Sequence, residues 1–228
     1  MPEIDKKVFD EFSNLVENSL NINGILSEDT IRYLFYTATI KNVKEKNVES
    51  KITLETPYCY CADEGLIIST VRNRITKKNR CSLDTFISLK NEKYALEFKY
   101  HHKTGANGLD KTIPHASYAG EVFNDLYRLS IFKNNINKYF VYISDEEMID
   151  NYKKNEKEYA YRKLIDNGKM HVTNKDFRNT NYNTFNKDSC RFKKIIKAKG
   201  INYTVKKIYE NSFKYNTKKY YVFAFSII

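Results

Sequence analysis

The feature that most constrains the fold is a pair of alternating segments in the middle of the chain. Residues 82–89 and 93–100 each alternate apolar and polar side chains, and the polar residues 90–93 connect them. A period of two is typical of a half-buried β-strand, and so short a connection predicts that the two strands form an antiparallel hairpin.

The expected register follows from the loop length. A two-residue loop at residues 91–92 pairs Phe86 with Glu97 and Asp84 with Lys99, whereas a three-residue loop would turn one strand to the wrong face. One face is then nearly all apolar and comprises Leu83, Thr85, Ile87, Leu89, Tyr94, Leu96, Phe98 and Tyr100. The opposite face comprises Asp84, Phe86, Ser88, Lys90, Lys93, Ala95, Glu97 and Lys99. Two carboxylates and an amine therefore cluster at the open end of the hairpin.

This cluster has the groups that metal-assisted phosphodiester hydrolysis needs. Two carboxylates, Asp84 and Glu97, can hold Mg²⁺, which prefers oxygen ligands and lowers the pKa of a bound water. Lys99 lies two residues beyond Glu97, hence on the same strand face, where it can orient the water or stabilise the transition state. The same acid-x-Lys spacing also occurs at residues 5–7 and 49–51. The alternative is therefore a solvated hairpin face with an ordinary cross-strand ion pair.

The remaining patterns predict helices and strands on both sides of the hairpin. Helices are expected at 4–20, 27–41 with Ser27 as N-cap, 114–132, 150–170 and 192–199, and residues 144–147 have the composition of a further cap. Strands are expected at 51–56 or 66–71, 139–143, 203–209 and 220–227. The last of these is apolar on both faces, which predicts a central position. A strand, helix and strand in succession after the hairpin imply a parallel neighbour, so we expect an α/β fold with a mixed sheet in one domain, 1–228.

The charge of the chain is concentrated in its last third. The whole sequence carries +11, but residues 151–228 have 19 Lys and Arg against 6 Asp and Glu, while residues 1–150 are close to neutral. Such asymmetry predicts a polyanionic partner, most often nucleic acid. The candidate nucleic-acid-binding residues are Arg178, Asn179, Asn181, Arg191, Lys193, Lys194 and Lys197. A lysine-rich composition inherited from an A/T-rich genome, with a merely solvated loop at 174–188, is the alternative.

The segment 27–144 resembles the PD-(D/E)XK nuclease superfamily, which has the restriction-endonuclease-like fold. The resemblance rests on Asp84, on Glu97-Phe98-Lys99, and on the predicted order of helix, three antiparallel strands, crossover helix and strand. It implies metal ligands at Asp84, Glu97 and Phe98, a catalytic Lys99, and a further acidic residue from the first core helix, Glu28. The proline of the family motif is absent, because a leucine precedes Asp84.

The resemblance implies a Mg²⁺-dependent endonuclease that hydrolyses DNA, with Mn²⁺ as a substitute cation. A restriction-type or other defence nuclease acting on double-stranded DNA, as a homodimer, fits this implication. Residues 27–144 would form the nuclease-like core and residues 151–228 a basic elaboration that binds the substrate. Two other classes stay open: a nucleic-acid-binding protein without catalysis that uses the basic last third, and a structural or interaction protein.

Several other residues have a plainer expected role. On the crossover helix, Glu121, Asp125 and Arg128 share one face, and we expect a surface salt-bridge face there. The adjacent His101 and His102 should point to opposite sides of the strand end. The cysteines at 59, 61, 81 and 190 lack the spacing of a zinc site or a disulfide framework, which favours reduced core residues. With no long apolar run and no apolar leader segment, we expect a cytoplasmic protein without a membrane partner.

Overall fold

The computed structural model describes residues 4–24, 26–45, 49–57, 82–90, 92–102, 122, 125–132, 135–154, 162–173 and 202–228. Its strands are β1 (Ser50–Pro57), β2 (Ser82–Leu89), β3 (Glu92–His101), β4 (Asn137–Asp145), β5 (Lys169–Thr173), β6 (Asn202–Tyr215) and β7 (Lys218–Ile227). Its helices are α1 (Lys6–Asn23), α2 (Glu28–Glu45), α3 (residues 125–130), α4 (Glu146–Lys154) and α5 (Arg162–Asn167).

The strands of the described ranges form one seven-stranded sheet in the order β1-β2-β3-β4-β7-β6-β5. Strands β3 and β4 pair in parallel, and the connection between them contains α3. The other neighbouring pairs are antiparallel. The prediction of an α/β fold with a mixed sheet is therefore confirmed. Along the chain, α2 is followed by three antiparallel strands, a helical crossover and a parallel strand.

The sheet is covered by helices on both faces. On one face, Phe35 of α2 packs against Phe9 and Phe12 of α1 and against Phe98 of β3, with ring centroids 5.2 to 5.8 Å apart. On the other face, α3 and α4 supply the buried side chains Leu126, Tyr127, Leu129, Met148 and Ile149. Because both faces of a covered sheet must be apolar, β7 lies centrally between β4 and β6, as its sequence predicted.

The hairpin forms, but its register differs from the expected one. Leu89 pairs with Glu92 and Phe86 with Ala95, so the loop is at residues 90–91 and not at 91–92. Lys90 has a φ of 45°, the left-handed conformation that tight two-residue hairpin turns need. A shift of two residues leaves every side chain on its face. The two predicted faces are therefore kept, while the position opposite Asp84 is two residues nearer the loop than Lys99.

The helix and strand ends show smaller differences. Helix α1 continues to Asn23 and stops at Gly24, whose φ of 74° favours glycine. Helix α2 starts after the predicted cap, because the Thr30 N–H donates to Ser27 Oγ at 3.1 Å. The predicted helix at 150–170 is wrong at its end. Residues 169–173 form edge strand β5, in which buried Met170 and Val172 alternate with exposed neighbours.

Some predicted elements lie outside the described residues: the possible strand at 66–71, the loop at 174–188 and the helix at 192–199. The four cysteines lie outside them as well. Within the described ranges, none of the helices combines the length and the apolar character that crossing a bilayer requires.

Candidate active site

The side chain of Lys99, near the end of β3, contacts carboxylates from two helices. Its Nζ donates to Glu28 Oε1 of α2 at 3.1 Å and lies 3.8 Å from Asp125 Oδ2 of α3. The N-cap at Ser27 fixes where α2 begins, so Glu28 stands in the first turn of that helix. The lysine side chain is only 17% exposed. The amine is thus held between two carboxylates in a mostly enclosed position.

Asp84 reaches the same region from β2. Its Oδ2 accepts a hydrogen bond from the Phe98 N–H at 2.8 Å, and its Oδ1 lies 3.7 Å from Arg32 Nη1. Phe98 is the residue between Glu97 and Lys99, so this bond fixes Asp84 beside the acid-x-Lys segment. The Phe98 side chain itself is buried in the core against α2. Its main chain is therefore the part that belongs to the site.

Glu97 is a buried carboxylate with a basic partner. It is 2% exposed, and its Oε1 lies 3.0 Å from Nη2 of Arg128 on α3. The other guanidinium nitrogen, Nη1, donates to Asp125 Oδ1 at 2.8 Å. Arg128 thus bridges two carboxylates with one planar fork, the geometry for which arginine is suited.

Asp125 is affected by all the charges of this cluster. The pKa of Asp125 is raised from 3.8 to about 6, and burial is the largest cause. The charges of Arg128 and Lys99 lower this pKa, while those of Asp84 and Glu28 raise it. A carboxyl that responds to these four groups is electrostatically part of the same site. A strongly raised pKa beside an amine in an enclosed position is also typical of functional sites.

The structure brings four sequence-predicted residues, Glu28, Asp84, Glu97 and Lys99, into one connected set of contacts. The expected surface role of Asp125 and Arg128 is wrong, because Asp125 is 4% exposed and Arg128 binds the buried Glu97. The sequence did show that Asp125 and Arg128 share one face of their helix. This spacing is the same whether the shared face of the helix is turned to solvent or to the sheet. Their companion Glu121 lies outside the described residues.

Arg32 is a site residue that the sequence analysis missed. It pairs with Asp29 and with Glu55 of β1, and it is the residue that approaches Asp84 from α2. The signal that could have found it is its spacing, because residues four apart lie on one helix face and Arg32 follows Glu28 by four. Once Glu28 is assigned to the site, Arg32 must face the same side of α2.

The two histidines behave as expected. His101 is buried, and its Nδ1 lies 3.3 Å from the Tyr142 hydroxyl. His102 instead stacks on Tyr100, with ring centroids 4.7 Å apart. The neighbouring side chains thus take different directions from the end of β3.

All the predicted nucleic-acid-binding residues lie outside the described residues: Arg178, Asn179, Asn181, Arg191, Lys193, Lys194 and Lys197.

The donor set of the site suits a hard divalent cation. Glu28, Asp84, Glu97 and Asp125 offer carboxylate oxygens, which are the ligands that Mg²⁺ and Mn²⁺ prefer. As they stand, these groups are turned towards basic side chains. Among the described residues, no three Asp, Glu, His or Cys side chains are grouped closely enough to hold a metal ion together. The residue types fit the ion, while the present arrangement pairs them with Lys99, Arg32 and Arg128.

No family model, curated protein or solved structure matches the chain. The grounds for assigning a function are therefore the contacts just described around Lys99, Asp84 and Arg128.

Proposed function

We propose that this protein is a divalent-cation-dependent endonuclease that hydrolyses DNA phosphodiester bonds. The observation that carries the proposal is the meeting of Lys99 with carboxylates from separate elements. Glu28 comes from α2, Asp125 from α3, and Asp84 from β2 through the Phe98 N–H. An ordinary cross-strand ion pair on a solvated face would not need a buried glutamate and a lysine that is mostly enclosed.

In this proposal Asp84 and Glu97, with the main chain of Phe98, hold Mg²⁺ or Mn²⁺. When bound, the cation would offset charge on the scissile phosphate and lower the pKa of a water. Lys99 then orients the attacking water or stabilises the negative charge that develops on the phosphate. Glu28 fixes the lysine amine through the 3.1 Å hydrogen bond, which limits the positions from which it can act.

The proposed substrate is double-stranded DNA. The excess of +13 in residues 151–228 supports a polyanionic partner, and the seven candidate residues between 178 and 197 would contact the phosphates and bases. Cutting both strands with one site per chain requires two copies, so we propose a homodimer. A restriction or other defence role would fit such an enzyme.

Replacing Asp84 tests this proposal. Purified protein is incubated with supercoiled plasmid and Mg²⁺, and nicked and linear products are followed over time. We expect wild type to cut with Mg²⁺ but not with EDTA. Asp84→Asn should cut at least about a hundredfold more slowly, because it removes charge from the site that would bind the cation.

The matched control is Glu11→Gln, which also removes one carboxylate charge. Glu11 pairs with Lys41 on the surface formed by α1 and α2. This variant should cut like wild type. Equal cleavage by Asp84→Asn and wild type, or cleavage that persists in EDTA, would contradict the assignment of the site.

A second candidate function is nucleic-acid binding without catalysis. It is favoured by a pair of exposed lysines, Lys169 and Lys206, which stand directly opposite each other on β5 and β6. Like charges in this position repel, and a bound phosphate chain would relieve the repulsion. This function predicts salt-sensitive DNA binding that persists in EDTA, together with no cleavage at any Mg²⁺ concentration.

A further inference from the structure

Arg128 binds two carboxylates of the site and is also partly exposed to solvent. Its guanidinium lies 3.0 Å from Glu97 Oε1 and 2.8 Å from Asp125 Oδ1, and its side chain is 21% exposed. Glu97 is 2% exposed and is one of the two carboxylates in the proposed cation site. Removing the charge partner of a buried carboxylate costs several kcal/mol. The guanidinium of Arg128 therefore stabilises the charged form of Glu97.

A guanidinium and a divalent cation satisfy the same oxygen of Glu97 by the same electrostatic means. A guanidinium at Glu97 Oε1 repels a divalent cation that approaches the same oxygen, because like charges repel each other at short distance. A fork that spans Glu97 and Asp125 also holds the carboxylates in the arrangement seen here, in which they face basic side chains. At Oε1 the guanidinium and a cation therefore compete for the same position.

We propose that Arg128 and a divalent cation are alternative partners of Glu97. Without a cation, Arg128 holds Glu97 and keeps the site folded. With a cation at Glu97, Arg128 keeps Asp125 through Nη1, releases Glu97 and turns Nη2 to a phosphate of the nucleic acid. Arg128 is thus a positioning residue for Glu97 and a phosphate-binding residue for the substrate. The first role needs only a cation, and the second rests on the proposed nuclease function.

The first experiment measures cation binding without any substrate. Mn²⁺ is titrated into wild type, Arg128→Met and Arg128→Lys at pH 7.5 by calorimetry, and melting temperatures are recorded in EDTA. Arg128→Met should bind Mn²⁺ at least about fivefold more tightly, because a competing charge is gone. It should also melt at a lower temperature in EDTA. Arg128→Lys keeps the charge without the fork, so its affinity should fall between the two.

The sign of the change separates this proposal from a purely structural role. If Arg128 only held Glu97 in place, its loss would weaken Mn²⁺ binding. Weaker binding or an unchanged affinity would overturn the proposal that Arg128 and the cation are alternative partners of Glu97. Lys41→Met is the matched control. It removes one positive charge from α2, thirteen residues from Glu28 and about 20 Å along the helix. Its Mn²⁺ affinity should equal that of wild type.

The second experiment tests the phosphate contact. Binding of a fluorescent DNA duplex is measured against salt concentration, with Mg²⁺ and with EDTA, in Lys99→Met and in Lys99→Met with Arg128→Met. The lysine is replaced in both proteins to slow cleavage. With Mg²⁺, the Arg128 change should reduce the slope of log affinity against log salt by about one. In EDTA the two slopes should agree, because Arg128 is then engaged by Glu97.

Equal slopes in Mg²⁺ would overturn the phosphate role of Arg128. If neither protein binds DNA, the proposed nuclease function fails together with this role. The proposal that Arg128 and a cation are alternative partners of Glu97 is tested separately by the Mn²⁺ measurements. Its failure is therefore distinguishable from failure of the proposed nuclease function.

Discussion

Asp125 lies in an environment very different from that of a surface carboxylate. It is 4% exposed and contacts Arg128 and Lys99, the basic residues that also hold Glu97 and Glu28. Burial penalises its charged form more than the two cations favour it, so its pKa is raised to about 6. One proton at this residue therefore changes the charge balance of the whole site near neutral pH.

The stability of the protein should fall as the pH rises through the pKa of Asp125. Because this pKa is raised from 3.8 to about 6, the folded state retains a proton that the unfolded state has already released in that interval. The resulting stabilisation is complete below about pH 4 and is lost as the pH passes about 6. Its size is at most about 3 kcal/mol.

Chemical denaturation of wild type and Asp125→Asn in EDTA, at several pH values from 4 to 8, measures this effect. The variant cannot ionise at this position, so wild type should lose stability relative to it as the pH rises. A difference that stays constant over the whole range would show that Asp125 titrates normally.

Helix α2 is the element that joins the core to the site. Its first turn provides Glu28 and its second provides Arg32, while Phe35 on its buried face packs on Phe98 of β3. The direction of the helix at its start is set by Ser27, whose Oγ accepts the Thr30 N–H. The cap and the core contact together determine where Glu28 meets Lys99.

Removing the cap should weaken α2 at the end that carries Glu28. Ser27→Ala leaves the Thr30 N–H without its side-chain acceptor and should cost about 1 kcal/mol of the free energy of unfolding. Urea denaturation should show a lower midpoint with an unchanged slope. Ser27→Asp keeps an acceptor at the N-cap and should unfold near the wild-type midpoint. Equal losses in both variants would mean that the cap contributes nothing.

At the scale of the whole molecule, the sheet separates two layers of helices, and the site joins them. Residues from α2 on one layer and from α3 on the other meet at Lys99. The aromatic side chains behind this point, Phe35 and Phe98, are fully enclosed. The packing of α2 on the sheet should therefore contribute strongly to the stability of the fold.

Phe35→Ala should destabilise the protein by about 3 to 5 kcal/mol, because it opens a cavity between the two N-terminal helices and β3. The matched control is Tyr33→Ala on the same helix, whose side chain is 60% exposed. That change should stay within about 0.5 kcal/mol of wild type. Thermal or urea denaturation of both variants checks the difference. Similar losses would contradict the packing of α2 described here.

The sequence by itself determined the two faces of the hairpin strands, the start of α2 and the apolar character of both faces of β7. The alternation in β2 and β3, the cap at Ser27 and the two apolar faces of β7 are local patterns, because side-chain direction repeats every two residues in a strand and every 3.6 in a helix. The order of strand, helix and strand after the hairpin predicted the mixed sheet. The local patterns also put Asp84, Glu97 and Lys99 on one hairpin face, and the cap put Glu28 at the start of α2.

Only the tertiary structure decided how those faces meet. A two-residue shift of the hairpin leaves both faces unchanged, so the pattern could not select the register that sets the Phe98 N–H against Asp84. Glu28 and Lys99 are 71 residues apart in the chain. The burial of Asp125 and Arg128 depends on which neighbour covers their helix face. Contacts of this range depend on packing between elements, and no local period of the sequence encodes them.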